Sequence, residues 1–144
     1  VGNNGDDINE YTLATAWDVS SALFVDSFSV ASQDEAPSGV AFSNSGKKMF
    51  VTGNDGDDVN EYTLATAWDV SSALFVDSFS VASQDETPSG IAFGNSGKKM
   101  FISGATNDAV YEYTLATAWD VSSALFVDSF SVASEDTAPN GMFL

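Results

Sequence analysis

The segment YTLATAWDVSSALFVDSFSVASQD spans Tyr11–Asp34 and returns unchanged at Tyr62–Asp85. It returns a third time at Tyr113–Asp136 with one substitution, Glu135 in place of glutamine. The spacing from Tyr11 to Tyr62, and from Tyr62 to Tyr113, is 51 residues without a gap. Periods of about 20–50 residues mark architectures built from one structural unit that buries its apolar surface against neighbours of its own kind. A catalytic centre is an asymmetric arrangement, so a text written three times describes a framework before it describes a reaction.

Each period reads as four strand-like pieces. SGVAFS (Ser38–Ser43) is a short apolar run entered through Pro37, and Asn44-Ser45-Gly46 supplies the left-handed backbone that a tight reversal requires. KMFVT (Lys48–Thr52) completes a hairpin, and the polar loop GNDGDD (Gly53–Asp58) follows. VNEYTL (Val59–Leu64) places Tyr62 and Leu64 on one face and Val59, Glu61 and Thr63 on the other. After the connector ATAWDVSS, alternation in ALFVDSFSVA (Ala73–Ala82) predicts Phe75, Asp77, Phe79 and Val81 on a single side. β-Branched and aromatic runs between Gly, Asn, Asp and Ser favour strands, and no segment carries a helical period.

Four antiparallel strands per period predict an all-β chain of β-propeller blades. Such a sheet has two apolar faces, and stacking blades around an axis covers both. Phe42, Phe50, Tyr62, Trp68 and Phe75 are the expected filling. The first two strands lack alternation, as strands buried on both sides do. Residues 1–36 form a partial blade with the third and fourth strands only, and 37–87 and 88–138 form complete blades. Residues 139–144 begin the first strand of a further blade, all within one propeller domain. The chain is nine residues short of three periods, the length of a turn and second strand. The ring is incomplete in one chain, and propellers use about 4–8 blades. Copies of the chain, or further blades of a longer chain, are therefore the expected partners.

PSGVAFSNSGKKMFVTGNDGDDVNEYTL (Pro37–Leu64) and PSGIAFGNSGKKMFISGATNDAVYEYTL (Pro88–Leu115) resemble NHL-type and YVTN-type β-propeller repeats. The shared features are the Pro-x-Gly-Ile/Val-Ala opening, the Asn/Asp-x-Gly turn and the aromatic-Val second strand. The resemblance implies the fold and is nearly silent on activity. The long connector and fourth strand depart from a compact NHL blade.

Charge limits the partners. Twenty-one acidic residues face four lysines, with no histidine, for a net charge of −17. Nucleic-acid binding needs a basic footprint and is excluded. Such acidity suits solubility in a salty medium, where screening confines repulsion to roughly 3–8 Å, or affinity for divalent cations. The absence of cysteine removes disulfides and thiolate chemistry. No apolar run approaches the length of a membrane span, so membrane insertion is not expected. The lysine pairs Lys47–Lys48 and Lys98–Lys99 read as surface charge.

Three sets of residues are candidates for chemistry. Asp6, Asp57 and Asp108 lie in the loops NNGDD (3–7), NDGDD (54–58) and ATNDA (105–109), where clustered oxygens invite calcium. An Asx-type turn closing a hairpin is the competing reading. Asp34, Asp85 and Asp136 lie in the connectors between blades and would form a ring of carboxylates at one end of a propeller. Trp17, Trp68 and Trp119 stack on sugar rings or plug the seam between blades, and the aspartates that follow them (Asp18, Asp69, Asp120) cap the next turn. Asp26, Asp77 and Asp128 read as gatekeepers or plain outer-strand charges. The expected function is a non-catalytic, extracellular or virion-associated scaffold or adhesin needing no cofactor. The alternative is a multivalent lectin-like or calcium-dependent module acting on glycans. A lactonase-like enzyme fragment is the remaining reading, and its axial metal would need carboxylate, Asn or His groups where GVAFS and GIAFG stand.

Overall fold

The computed structural model describes residues 1–2 and 4–143. Ten strands run in chain order: β1 (Asp7–Leu13), β2 (Ala22–Ser29), β3 (Pro37–Phe42), β4 (Lys48–Gly53), β5 (Asp58–Leu64), β6 (Ala73–Ser80), β7 (Pro88–Gly94), β8 (Lys99–Gly104), β9 (Ala109–Leu115) and β10 (Ala124–Ser131). They form a two-stranded sheet β1-β2 and two four-stranded antiparallel sheets, β3-β4-β5-β6 and β7-β8-β9-β10. The chain is a half blade followed by two full blades. Helical structure is limited to short 3-10 turns such as Val70–Ser72 and Val121–Ser123. Among the described residues no helix is long and apolar enough to cross a membrane.

The two hydrophobic cores are the two seams between blades. Ile8, Val30 and Phe28 of the half blade meet Met49, Val51, Tyr62 and Leu64 of the central blade. The other face of the central blade, with Phe50 and Val59, meets Ile91, Met100, Ile102 and Tyr113 of the third. Tyr62 and Val59 thus point into different seams, as alternation requires. Inner strand β4 is buried almost throughout, whereas outer strands β6 and β10 are largely exposed. At the inner edge small residues let the blades converge. A Cβ on Gly39 would lie 3.0 Å from Gly90 Cα, and one on Gly90 would lie 2.8 Å from Gly141 Cα.

Three expectations change. First, the outer strand does not keep one alternation. Tyr62 pairs with Phe75 and Glu61 with Asp77, leaving Val76 as a bulge residue. Phe75 therefore joins Tyr62 in an edge-on contact at 5.8 Å, while Phe79 points across the opposite seam to Tyr113 at 5.7 Å. Second, Trp68 and Phe75 are only partial filling, being 54% and 46% exposed. Third, residues 139–143 stack on β7 through Ser89 Oγ, which donates to the Pro139 carbonyl, without becoming a strand. Leu144 lies outside the described residues.

Candidate functional site

The connectors between blades carry the most heavily hydrogen-bonded side chains. Asp85 lies between β6 and β7 and is buried. Its carboxylate accepts from Thr87 N–H (2.9 Å), Thr106 N–H (3.1 Å), Asn107 N–H (3.0 Å) and the Tyr111 hydroxyl (3.1 Å). Burial alone would raise its pKa, but these donors outweigh burial and hold it below the usual value. Asp34 takes the corresponding place one blade earlier, its carboxylate accepting from Ala36 N–H (2.6 Å) and Gly56 N–H (2.8 Å). Each aspartate occupies the space over a glycine, Gly53 beneath Asp34 and Gly104 beneath Asp85, where any Cβ would land inside the carboxylate. Asp34 and Asp85 therefore clasp the connector to the loop of the following blade and do not face solvent as a carboxylate ring. Asp136 is exposed and accepts only from Ala138 N–H (2.9 Å).

Asp6, Asp57 and Asp108 each adopt a left-handed backbone, with φ of 50°, 48° and 50°. Their carbonyls accept from Val30, Val81 and Val132 N–H, which closes the loop on the outer strand. The loop is thus closed through the aspartate backbone carbonyl and not through a side-chain Asx bond, and short polar residues tolerate that left-handed backbone. The Oδ1 atoms of Asp6, Asp57 and Asp108, and of Asn54, are buried without a hydrogen-bond partner. Burial, with Glu86 and Asp34 nearby, raises Asp57, and burial raises Asp58 to about 6 against a hydrogen bond from Asn60. Among the described residues no group of three or more carboxylates is placed to hold a metal ion. Asn3 of the first loop lies outside the described residues.

Of the three tryptophans, Trp119 reaches a seam, while Trp68 covers its own blade's hairpin. Trp68 and Trp119 have φ of 68° and 62°, unusual for a bulky residue. Their N–H groups donate to the Gly46 and Gly97 carbonyls at 2.9 Å, and their rings cover those same glycines. Trp119 also stacks at 6.1 Å on Phe50 of the preceding blade. Trp17 shares the left-handed backbone but has no hairpin of its own beneath it and is 96% exposed. Asp18 and Asp120 cap the following turn, accepting from Ser20 and Ser122 N–H, while Asp69 accepts only from the Ser71 hydroxyl.

The reading of the lysines as surface charge holds for the exposed Lys47 and Lys98, whereas Lys48 and Lys99 are half-buried and paired. Lys48 Nζ donates to Glu61 Oε1 at 2.6 Å and to the Trp119 carbonyl of the next blade at 2.6 Å. Glu61 Oε2 accepts from Val121 N–H at 3.0 Å, across the same seam. Glu10 repeats this one blade earlier, accepting from Val70 N–H at 3.0 Å. Lys47 and Lys98 donate to the Ala65 and Ala116 carbonyls within their own blades. The signal was present in the sequence: a glutamate fixed at the 51-residue spacing (Glu10, Glu61, Glu112), amid strand residues that are otherwise apolar or small. A charge on a strand buried from both sides requires a partner.

The inner strands border an open cleft of about 560 Å³, lined by Ser38, Ser89, Asn54, Asn140, glycines and aliphatic side chains, with no carboxylate or lysine among its walls. No protein-family model matches the chain, and no curated protein matches it. Solved propeller structures do. A periplasmic gluconolactonase of Pseudomonas aeruginosa aligns with a TM-score of 0.54 at 14% identity, over 88% of this chain and 33% of that one. A putative 6-phosphogluconolactonase of Bacteroides fragilis aligns at 0.58 and 12%, over 89% and 34%. The Cps50 (Swd1) β-propeller domain of Myceliophteria thermophila aligns at 0.55 and 13%, over 95% and 40%. At these identities the likeness is one of fold, and this chain spans a third to two fifths of those lengths.

Proposed function

We propose that the chain is a non-catalytic β-propeller repeat protein, of the NHL and YVTN type, that serves as an extracellular or surface-borne structural or adhesive scaffold. One observation carries this reading: the polar side chains repeated in register are consumed in joining blades. Asp85 spends its carboxylate on donors from four residues, Glu61 spans a seam, and Trp119 seals one. The cleft at the inner edges offers hydroxyls and amides but no acid or base to move a proton at neutral pH. Strong acidity accords with a salty exterior. Incubation with glucono-1,5-lactone, with and without calcium, tests it. The expected rate equals that of buffer, and saturable hydrolysis abolished by Ser38→Ala or Ser89→Ala would overturn it.

A second reading, a calcium- or glycan-binding module, draws support from two features. The Oδ1 atoms of Asn54 and Asp57 are buried without partners, and Trp17 is wholly open to a ring that would stack on it. Calorimetric titration with calcium and a glycan-array screen separate this from the scaffold, which is silent in both.

A further inference from the structure

The same blade-to-blade interface is made twice inside the chain. Phe28 meets Tyr62 edge-on at 5.6 Å, and Phe79 meets Tyr113 at 5.7 Å. The Tyr62 and Tyr113 hydroxyls donate to Gln33 and Gln84 Oε1, each at 3.2 Å. Glu10 and Glu61 each accept from a valine N–H on the next blade, and Asp34 and Asp85 each fill the space over a glycine. The third set of giving groups exists and is unmet. Phe130 is 71% exposed, Glu112 touches only its own blade, and Glu135 and Asp136 face solvent. The third set of receiving groups exists as well, at the opposite end. Tyr11 is 58% exposed and Val19 83%, against 0% for Tyr62 and 3% for Val70. Gly2, the counterpart of Gly53 and Gly104, has open space where they hold a carboxylate.

We propose that these two faces are the halves of one interface, and that each copy of the chain docks its β8–β10 face on the β1–β2 face of a second copy. This deepens the scaffold reading and rests on it. Phe130 of one copy would meet Tyr11 of the other, Glu112 the Val19 N–H, and Asp136 the space over Gly2. The partner is a second copy because four features must match at once, and both internal seams show that these side chains do match. Glu135, the only departure in 24 repeated residues, falls where Gln33 and Gln84 accept a tyrosine hydroxyl. A carboxylate accepts that bond from Tyr11 as readily. The contact is head-to-tail, so it closes into a ring or runs on. Each chain fills three blade positions, and two copies fill six, within the range of about 4–8 that closes a propeller.

Light scattering coupled to size-exclusion chromatography, on the full chain, tests this. The wild type is expected at twice the chain mass, with association strengthening in added salt, since each copy carries 17 net negative charges. Phe130→Glu and Val19→Glu change exposed positions on opposite faces. Each weakens association by more than about tenfold while the β circular dichroism is kept. If Val19→Glu loses that signal, Gly2→Val replaces it. An equimolar mixture of the two variants regains a two-chain species, because one intact half remains on each. A folded single-chain particle at the highest soluble concentration overturns the proposal, as does persistent dimerisation of Phe130→Glu alone. A monomer without lactone hydrolysis removes the docking and leaves the scaffold's non-catalytic character intact. A dimer that hydrolyses lactone does the reverse.

Discussion

Glu10, Glu61 and Glu112 occupy one position in three environments, and replacing each by alanine weighs a seam with everything else held constant. Glu61 is 2% exposed, bonds Val121 N–H across the seam and pairs with Lys48. Its removal leaves a buried N–H without an acceptor and an ammonium without its counter-charge. Breaking a buried pair costs about 3–5 kcal/mol. The Lys48 side chain is 30% exposed and keeps the Trp119 carbonyl, which puts Glu61→Ala near the low end, about 3 kcal/mol. Glu10 loses one charge-assisted bond, to Val70, for about 1.5 kcal/mol. Glu112 pairs with Lys99 at a third exposed on both sides and has no seam to span, for about 0–1 kcal/mol. Urea denaturation in the Val19→Glu background, followed by both far-ultraviolet circular dichroism and tryptophan fluorescence, keeps the chain single and checks two-state behaviour. The order Glu61, Glu10, Glu112 is expected. Equal losses at Glu61 and Glu112 in the single chain, or a loss below about 1 kcal/mol at Glu61, would refute the idea that the glutamate acts across blades.

Three further outcomes follow from the structure. Gly53→Ala and Gly104→Ala place a methyl group inside the Asp34 and Asp85 carboxylates and destabilise by about 1–3 kcal/mol or more, whereas Gly2→Ala leaves the single chain's urea midpoint unchanged. Asp58, raised by burial from 3.8 to about 6, holds its proton in the folded chain at pH values where the unfolded chain has released it. Its contribution therefore falls as pH rises from about 4 to about 6, and Asp58→Asn removes that slope from urea midpoints measured across this range. Asp85 runs the other way. Its depressed pKa supplies stability that is lost as pH falls below the ordinary carboxylate value, and Asp85→Asn flattens that acid limb.

Much of the architecture was legible from local chemistry. The strand runs, the Asn-Ser-Gly reversal and the non-alternating inner strands are properties of a few consecutive residues, and β3 to β6 fall within about two residues of where they were expected. The bulge at Val76 was not legible, because the plain alternation of ALFVDSFS continues through it and only pairing with Glu61 and Tyr62 breaks the phase. The buried Asp34 and Asp85 and the paired Lys48 were misjudged for a related reason. Whether Asp85 is a surface carboxylate or the centre of four hydrogen bonds depends on Thr106, Asn107 and Tyr111, more than 20 residues away.

The repeated text by itself determined the unit: its strands, its turns and the presence of an apolar surface on both sides. It could not determine what each copy experiences, because the letters are the same three times. Tyr11, Tyr62 and Tyr113 each open the same repeated segment, yet the first is 58% exposed and the others are sealed. Burial is set by which blade stands alongside, and that neighbour is supplied through space by residues one full period away in the chain.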